Sequence, residues 1–207
     1  MIGLVFRLVT GVLSLAVALF ALGIGFLWYD GSRVLDRATT SGWLAPKPDA
    51  APMTVFEDTA SKYMFGRTWN ETGFPCRTAA RFWSHYTGKL DRDGLSISQV
   101  MARDISYEVE ASQSLRSQVR QLSVSCLLEG RGNDTELLRL WLRRARFGPG
   151  IAGVDAASQT IFNKAPSLLD QTEAAKLIAL IYQPSLRSDA AEWNKRGQAI
   201  AQAAFAD

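Results

Sequence analysis

Three glycines in FGPGIAGVDAA, residues 147–157, stand at the spacing G-x-G-x-x-G, and an acid, Glu173, lies twenty residues beyond Gly153. A dinucleotide-binding turn uses that spacing. Its glycines let backbone N–H groups approach a pyrophosphate, and its acid reaches a ribose hydroxyl. Such a turn also needs a strand ahead of the first glycine. The segment ahead here, ELLRLWLRRA, opens with the capping box Asn133-x-x-Glu136 and puts Leu137, Trp141 and Ala145 on one helical face. Glu173 is itself the partner of Asp170 in a second capping box. The glycines are therefore expected to serve backbone geometry. Gly148 or Gly150 would take a positive φ, and Gly153 would let the next helix start close against a neighbour.

Other residues able to do chemistry are few. The single histidine, His85, argues against a His/Cys metal site and against a Ser-His-Asp triad. No metal-ligand cluster is evident, so no cofactor is expected. Glu57-Asp58 is an adjacent acidic pair whose simplest place is the start of a helix. Cys76 and Cys126 could pair in an oxidising compartment. Cys126 also falls on an apolar helical stripe, where a buried free thiol is the simpler expectation.

The elements that must position these residues begin with an N-terminal anchor. Leu8 to Trp28 contains no charged residue, enough to cross a bilayer as one helix. Arg7 precedes it and Trp28-Tyr29 follow, which favours an N-terminus inside and the rest of the chain outside the cytoplasm. The alternative is a cleaved signal peptide, whose apolar region would be shorter. Residues 1–30 are read as the anchor, residues 31–53, with prolines at 46, 48 and 52, as a polar stalk, and residues 54–207 as one domain. Residues 55–90 read as short helices and loops.

Beyond them Leu115, Val119, Leu122 and Cys126 mark an amphipathic helix ended by Gly130 and Gly132. Asn133, Asp170 and Asp189 then open three more helices, the second stopping before Pro184. No period-two alternation is evident, so the fold class is mainly α. The net charge of +3 is small, and outside the cytoplasm an anionic lipid or polymer is a better partner than nucleic acid.

Leu140-Trp141-Leu142-Arg143, the glycine loop, Ile161-Phe162-Asn163-Lys164, Leu169 to Ala175 and Pro184-Ser185 follow one another in an order and spacing that resembles glycosyltransferase family 51, the peptidoglycan glycosyltransferases of penicillin-binding proteins and their monofunctional relatives. Gly94 to Val100, GLSISQV, is similar to that family's Gly-Ser-Thr-Ile-Thr-Gln-Gln motif. The resemblance covers roughly residues 94–185. It implies a lysozyme-like, α-helical transglycosylase domain behind one transmembrane helix in a bacterial inner membrane, with the domain in the periplasm.

By the same resemblance, Ser96, Ser98 and Gln99 keep hydroxyl and amide chemistry, and Arg103 stands where the family has a lysine that meets phosphate. Together with Arg120, and with Arg116 beside it, they form the expected substrate-binding set, holding pyrophosphate by charge-assisted hydrogen bonds. The family's two glutamates fall at Ser61 and Gln121, and its Leu-Tyr-Leu-Asn asparagine at Arg143. Neither serine nor glutamine serves as a general base at neutral pH.

The resemblance thus implies retained architecture without the family's chemistry: a protein that binds lipid-linked precursor, glycan or an active synthase. Two alternatives stand beside it. One is a working transferase with Glu57 or Asp58 as a displaced base, needing a divalent metal only if it follows family habit. The other is a scaffold that binds proteins alone.

Overall fold

A computed structural model describes residues 2–44, 53–65, 76, 78, 96–109 and 114–205. The stalk prolines, His85 and the Gly94-Leu95 end of the Gly-Ser-Thr-like motif lie outside the described residues. Helix α1 runs unbroken over Ile2–Thr40. Its stretch from Gly11 is long and apolar enough to span a membrane, with a mean hydropathy of 2.2 and its apolar side chains exposed.

The polar stalk was expected to begin near Asp30, but the chain there is helix, and it enters the core. Val34, Leu35, Ala38 and, past the helix end, Trp43 are buried, while Asp36 and Arg37 face outward. The helical spacing of Val34, Leu35 and Ala38 explains this. One apolar face continues past the membrane segment and packs on the domain, and full burial of Leu35 alone contributes about 2 kcal/mol. Prolines do not interrupt it, because the first of them stands at 46.

Helix α2 covers Val55–Phe65, α3 Ile97–Val109, α4 Leu115–Glu129 and α5 Asp134–Leu142. A short antiparallel pair, β1 (Arg146–Gly148) and β2 (Ile151–Ala152), precedes α6 (Val154–Phe162), α7 (Gln171–Tyr182) and α8 (Ala190–Phe205). One layer stacks α1 and α3 on α4, and the other stacks α2 on α7 and α8. α5 bridges the layers through contacts with α3 and α2. Phe56 of α2 and Phe147 of β1, both fully buried, meet with ring centroids 6.3 Å apart.

Local sequence explains most of the boundaries. The capping boxes Asn133/Glu136 and Asp170/Glu173 are both complete. Asp189 Oδ1 accepts from Ala191 and Glu192 N–H at the start of α8. Gly130 follows α4 as its C-cap.

The glycine loop is the turn and hairpin joining α5 to α6. Gly150 holds φ +72. Gly153 holds φ +85, and a Cβ there would lie 2.6 Å from the Arg143 carbonyl oxygen. The strand that ends at the first glycine, β1, is one half of a two-stranded antiparallel hairpin and not a member of a parallel sheet, and Glu173 is occupied by its cap and by Lys164 Nζ at 2.6 Å. The dinucleotide reading fails on both counts.

Two sequence expectations about α4 also change. The apolar stripe Val119, Leu122 and Cys126 is only half-buried, whereas Ser117, Arg120, Val124 and Leu128 are buried. The reason is the approach of α1. Gly31 sits where a Cβ would touch Ser123 at 2.8 Å, so the two backbones pack closely over a partly polar face. Cys126 is bonded to Cys76, with Cα atoms 5.2 Å apart, and is not a free thiol.

Candidate functional site

Helix α2 carries the acids proposed as substitutes and the position of the first family glutamate. Thr54 and Glu57 form a reciprocal cap: Thr54 N–H donates to Glu57 Oε2 at 2.8 Å, and Glu57 N–H to Thr54 Oγ1 at 3.2 Å. The Glu57 carboxylate also accepts from Arg139 of α5, from Nε at 2.9 Å and from Nη2 at 3.3 Å. These two side chains are 15% and 13% exposed, so the carboxylate is withdrawn from solvent and consumed by fixed donors. Asp58 pairs with Lys62 one turn on at 2.9 Å and is far more exposed. Ser61 is half-buried on the same helix. Gln121 sits on α4, in the other layer.

The five residues expected to bind substrate do not converge. Ser98 is fully buried and donates to Glu129 Oε1 at 2.9 Å, while Thr78 donates to the same oxygen at 2.7 Å. Ser96 shares a hydrogen bond of 2.8 Å with Ser98 and caps α3, with its own N–H donating to Gln99 Oε1 at 3.0 Å. The Ser96-x-x-Gln99 pair is thus a capping box. This hydroxyl chemistry joins α3 to α4 and faces inward.

Arg120 is 4% exposed and donates from Nε to Asp30 Oδ2 at 2.9 Å, and Arg116 donates to Asp30 Oδ1 at 3.2 Å. Both arginines fasten α4 to α1, which corrects the expectation that Arg120 meets ligand. A buried cation needs a carboxylate, and the sequence places that carboxylate ninety residues away.

Arg103 alone of the set reaches an open cleft. A cavity of about 720 Å³ lies between the end of α1, α3, the α5–β1 link and α7. Arg103, Arg143, Arg144 and Arg146 line it, opposed by Asp104 and Glu108, so it carries a net positive charge. Asp104 takes Trp141 Nε1–H at 2.9 Å and Arg103 at 3.2 Å. Glu108 takes Trp43 Nε1–H at 2.6 Å. Arg143 and Arg146 are exposed and, among the described residues, make no ion pair. Such a cleft suits an anion with several oxygens, since a guanidinium can bind a phosphate or carboxylate bidentately.

The run Arg143-Arg144-Ala145-Arg146 was the available signal, but it reads as a solvated helix end until Arg103 and the end of α1 are folded against it. Among the described residues, no three of His, Cys, Asp and Glu gather as metal ligands would.

The Transglycosylase family matches residues 65–204 of the chain, a range that includes Gln121 and the four cleft arginines and begins after Ser61 and Trp43. Penicillin-binding protein 1C of Escherichia coli K12 is 30% identical over 158 residues, 72% of this chain and 20% of that protein. The biosynthetic peptidoglycan transglycosylase of Pasteurella multocida Pm70 is 36% identical over 97 residues, 47% of this chain and 39% of that one. A protein of the same description from Shewanella frigidimarina is 43% identical over 61 residues, 30% of this chain and 27% of that one. The chain therefore spans well under half the length of these relatives.

Proposed function

This chain belongs to the transglycosylase family, glycosyltransferase family 51, and from that premise we propose that it is a membrane-anchored, catalytically inactive relative that binds lipid-linked peptidoglycan precursor or glycan. One observation carries the reading. Among the described residues, the acid near the first expected base position that is drawn into the fold is Glu57, and it is held by its own helix cap and by Arg139. Ser61 and Gln121, at the positions assigned to the family's glutamates, have no carboxylate to offer. A general base must reach the hydroxyl it deprotonates with a free lone pair. A carboxylate accepts about four hydrogen bonds, and the Thr54 N–H and two donors from Arg139 already take three of those of Glu57, in a side chain that is 15% exposed.

Binding is assigned to the cleft. Arg103, Arg143 and Arg146 would hold a pyrophosphate by charge-assisted hydrogen bonds, while Trp141 forms the wall behind them. The anchor α1 would lie in the bacterial inner membrane with the domain on its periplasmic side, where the Cys76–Cys126 bond is stable. That placement brings the cleft to a substrate which is itself membrane-bound.

The test is incubation of the full chain, in detergent or vesicles, with labelled lipid-linked disaccharide. Saturable binding without polymer supports the proposal, with binding lost in Arg143→Ala/Arg146→Ala. Polymer that disappears in Glu57→Gln/Asp58→Asn establishes the displaced-base alternative. Absence of both binding and polymer, with protein crosslinks in cells, points to a protein-only scaffold.

A further inference from the structure

The end of the anchor helix is built into the arginine cleft. After α1 the chain turns at Gly42, with φ +80, and Trp43 folds back until its side chain is buried. Its indole Nε1 donates to Glu108 Oε2 at 2.6 Å. Arg144 lies over the same ring, with Cζ 4.9 Å from the centroid. Arg144 also donates from Nη2 to the Ser41 carbonyl at 2.6 Å and faces Glu108 Oε1 across 3.7 Å. Glu108 is half-exposed, so without these contacts its carboxylate is free to turn. One helical turn earlier on α3, Asp104 is held in the same way by the indole of Trp141 and by Arg103.

The two acids of the cleft are therefore each tied to an indole N–H and an arginine, while Arg143 and Arg146 line it without a carboxylate partner among the described residues. The arrangement matters because a mobile carboxylate in a cationic cleft competes with any anionic ligand for the same guanidinium groups. Long side chains at a half-exposed site reach such partners readily, and a like charge at the binding point repels the ligand.

We propose that Trp43 is a positioning residue for anion binding. By holding Glu108 against the cleft wall, it keeps that carboxylate off Arg143 and Arg146, so the end of the anchor helix forms part of the binding site. This rests on the reading of the cleft as an anion site. The ligand chemistry is a pyrophosphate, whether free or carried on a polyprenyl chain.

The test uses the full chain in detergent micelles, titrated calorimetrically with inorganic pyrophosphate and, in vesicles, with polyprenyl pyrophosphate. Trp43→Phe keeps an aromatic ring under Arg144 but deletes the N–H. It is expected to weaken binding about five- to tenfold, on the scale of one charge-assisted hydrogen bond changed. Adding Glu108→Gln to Trp43→Phe is expected to restore affinity to within about twofold of the starting protein, because the competing charge is gone. A purely structural role for Trp43 would not be rescued by a change at Glu108. Should Trp43→Phe fold poorly, Glu108→Gln alone carries the test, and binding at least as tight as the starting protein is expected. Trp28→Phe, on the exposed part of α1, is expected to change nothing.

Equal affinity for Trp43→Phe and the starting protein would overturn the inference, as would a loss that Glu108→Gln fails to restore. The cleft reading survives either result if Arg143→Ala/Arg146→Ala still abolishes binding. Failure of the starting protein to bind either pyrophosphate removes the cleft reading, and the inference with it. Binding of both ligands, or of the polyprenyl form alone, supports it and identifies the source.

Discussion

Replacing Glu57 by glutamine separates a structural acid from a catalytic one. Glutamine keeps an oxygen to accept the Thr54 N–H, so the helix cap survives in kind. What it removes is the charge facing Arg139. Both side chains are about six-sevenths buried, and two hydrogen bonds of 2.9 and 3.3 Å join them. Breaking a fully buried pair by removing one partner costs about 3–5 kcal/mol, and an exposed pair is worth at most about 1 kcal/mol. A mostly buried pair at the edge of α2 and α5 is therefore expected to cost about 2–3 kcal/mol. For a chain of this size that is a fall in Tm of about 5–10 °C.

The assay is thermal unfolding of the full chain in detergent, followed by circular dichroism. A double-mutant cycle with Arg139→Met should show a coupling of about 1–2 kcal/mol between the two positions. Unchanged stability in Glu57→Gln, together with a cycle that shows no coupling, would refute the structural assignment and return Glu57 to the list of acids free for catalysis.

Three further outcomes follow from the packing. Gly153→Ala is expected to cost about 2–4 kcal/mol by denaturant unfolding, since φ +85 and a carbonyl oxygen 2.6 Å from the new Cβ both oppose it. Asp30→Ala removes the carboxylate shared by Arg116 and the buried Arg120, at an expected cost of about 3 kcal/mol. It should also loosen α1 from α4, seen as faster proteolysis near residue 30. Reduction of Cys76–Cys126, which closes a loop with a sequence separation of 50, is expected to lower stability by about 2–4 kcal/mol in paired unfolding curves with and without reductant.

What was legible in the sequence was local. The Asn133/Glu136 and Asp170/Glu173 boxes depend on residues three apart, and the structure contains both as read. The glycine loop needed only positive φ and a close backbone approach, and Gly150 and Gly153 supply them. The mainly helical fold and the family followed from motifs of the same short range.

What was missed is long-range. The apolar face of Val34, Leu35 and Ala38 was in plain view, but the prolines further on suggested an extended stalk. Burial of Arg120 could not be inferred without its partner Asp30, ninety residues earlier. In sequence Ser96, Ser98 and Gln99 read as a ligand patch, because hydroxyl and amide groups serve ligands and helix caps equally well. Here they cap α3 and meet Glu129. The cleft needed separated segments, with Trp43, Arg103 to Glu108, Trp141 to Arg146 and, on α7, Ile181, and their proximity has no signature in any one of them.

The most direct test of the central claim is the fate of labelled lipid-linked disaccharide with the purified full chain. The expected result is saturable binding, abolished by Arg143→Ala/Arg146→Ala, with no glycan polymer at any protein concentration. Polymer formed by the unmodified chain and lost in Glu57→Gln/Asp58→Asn would contradict it.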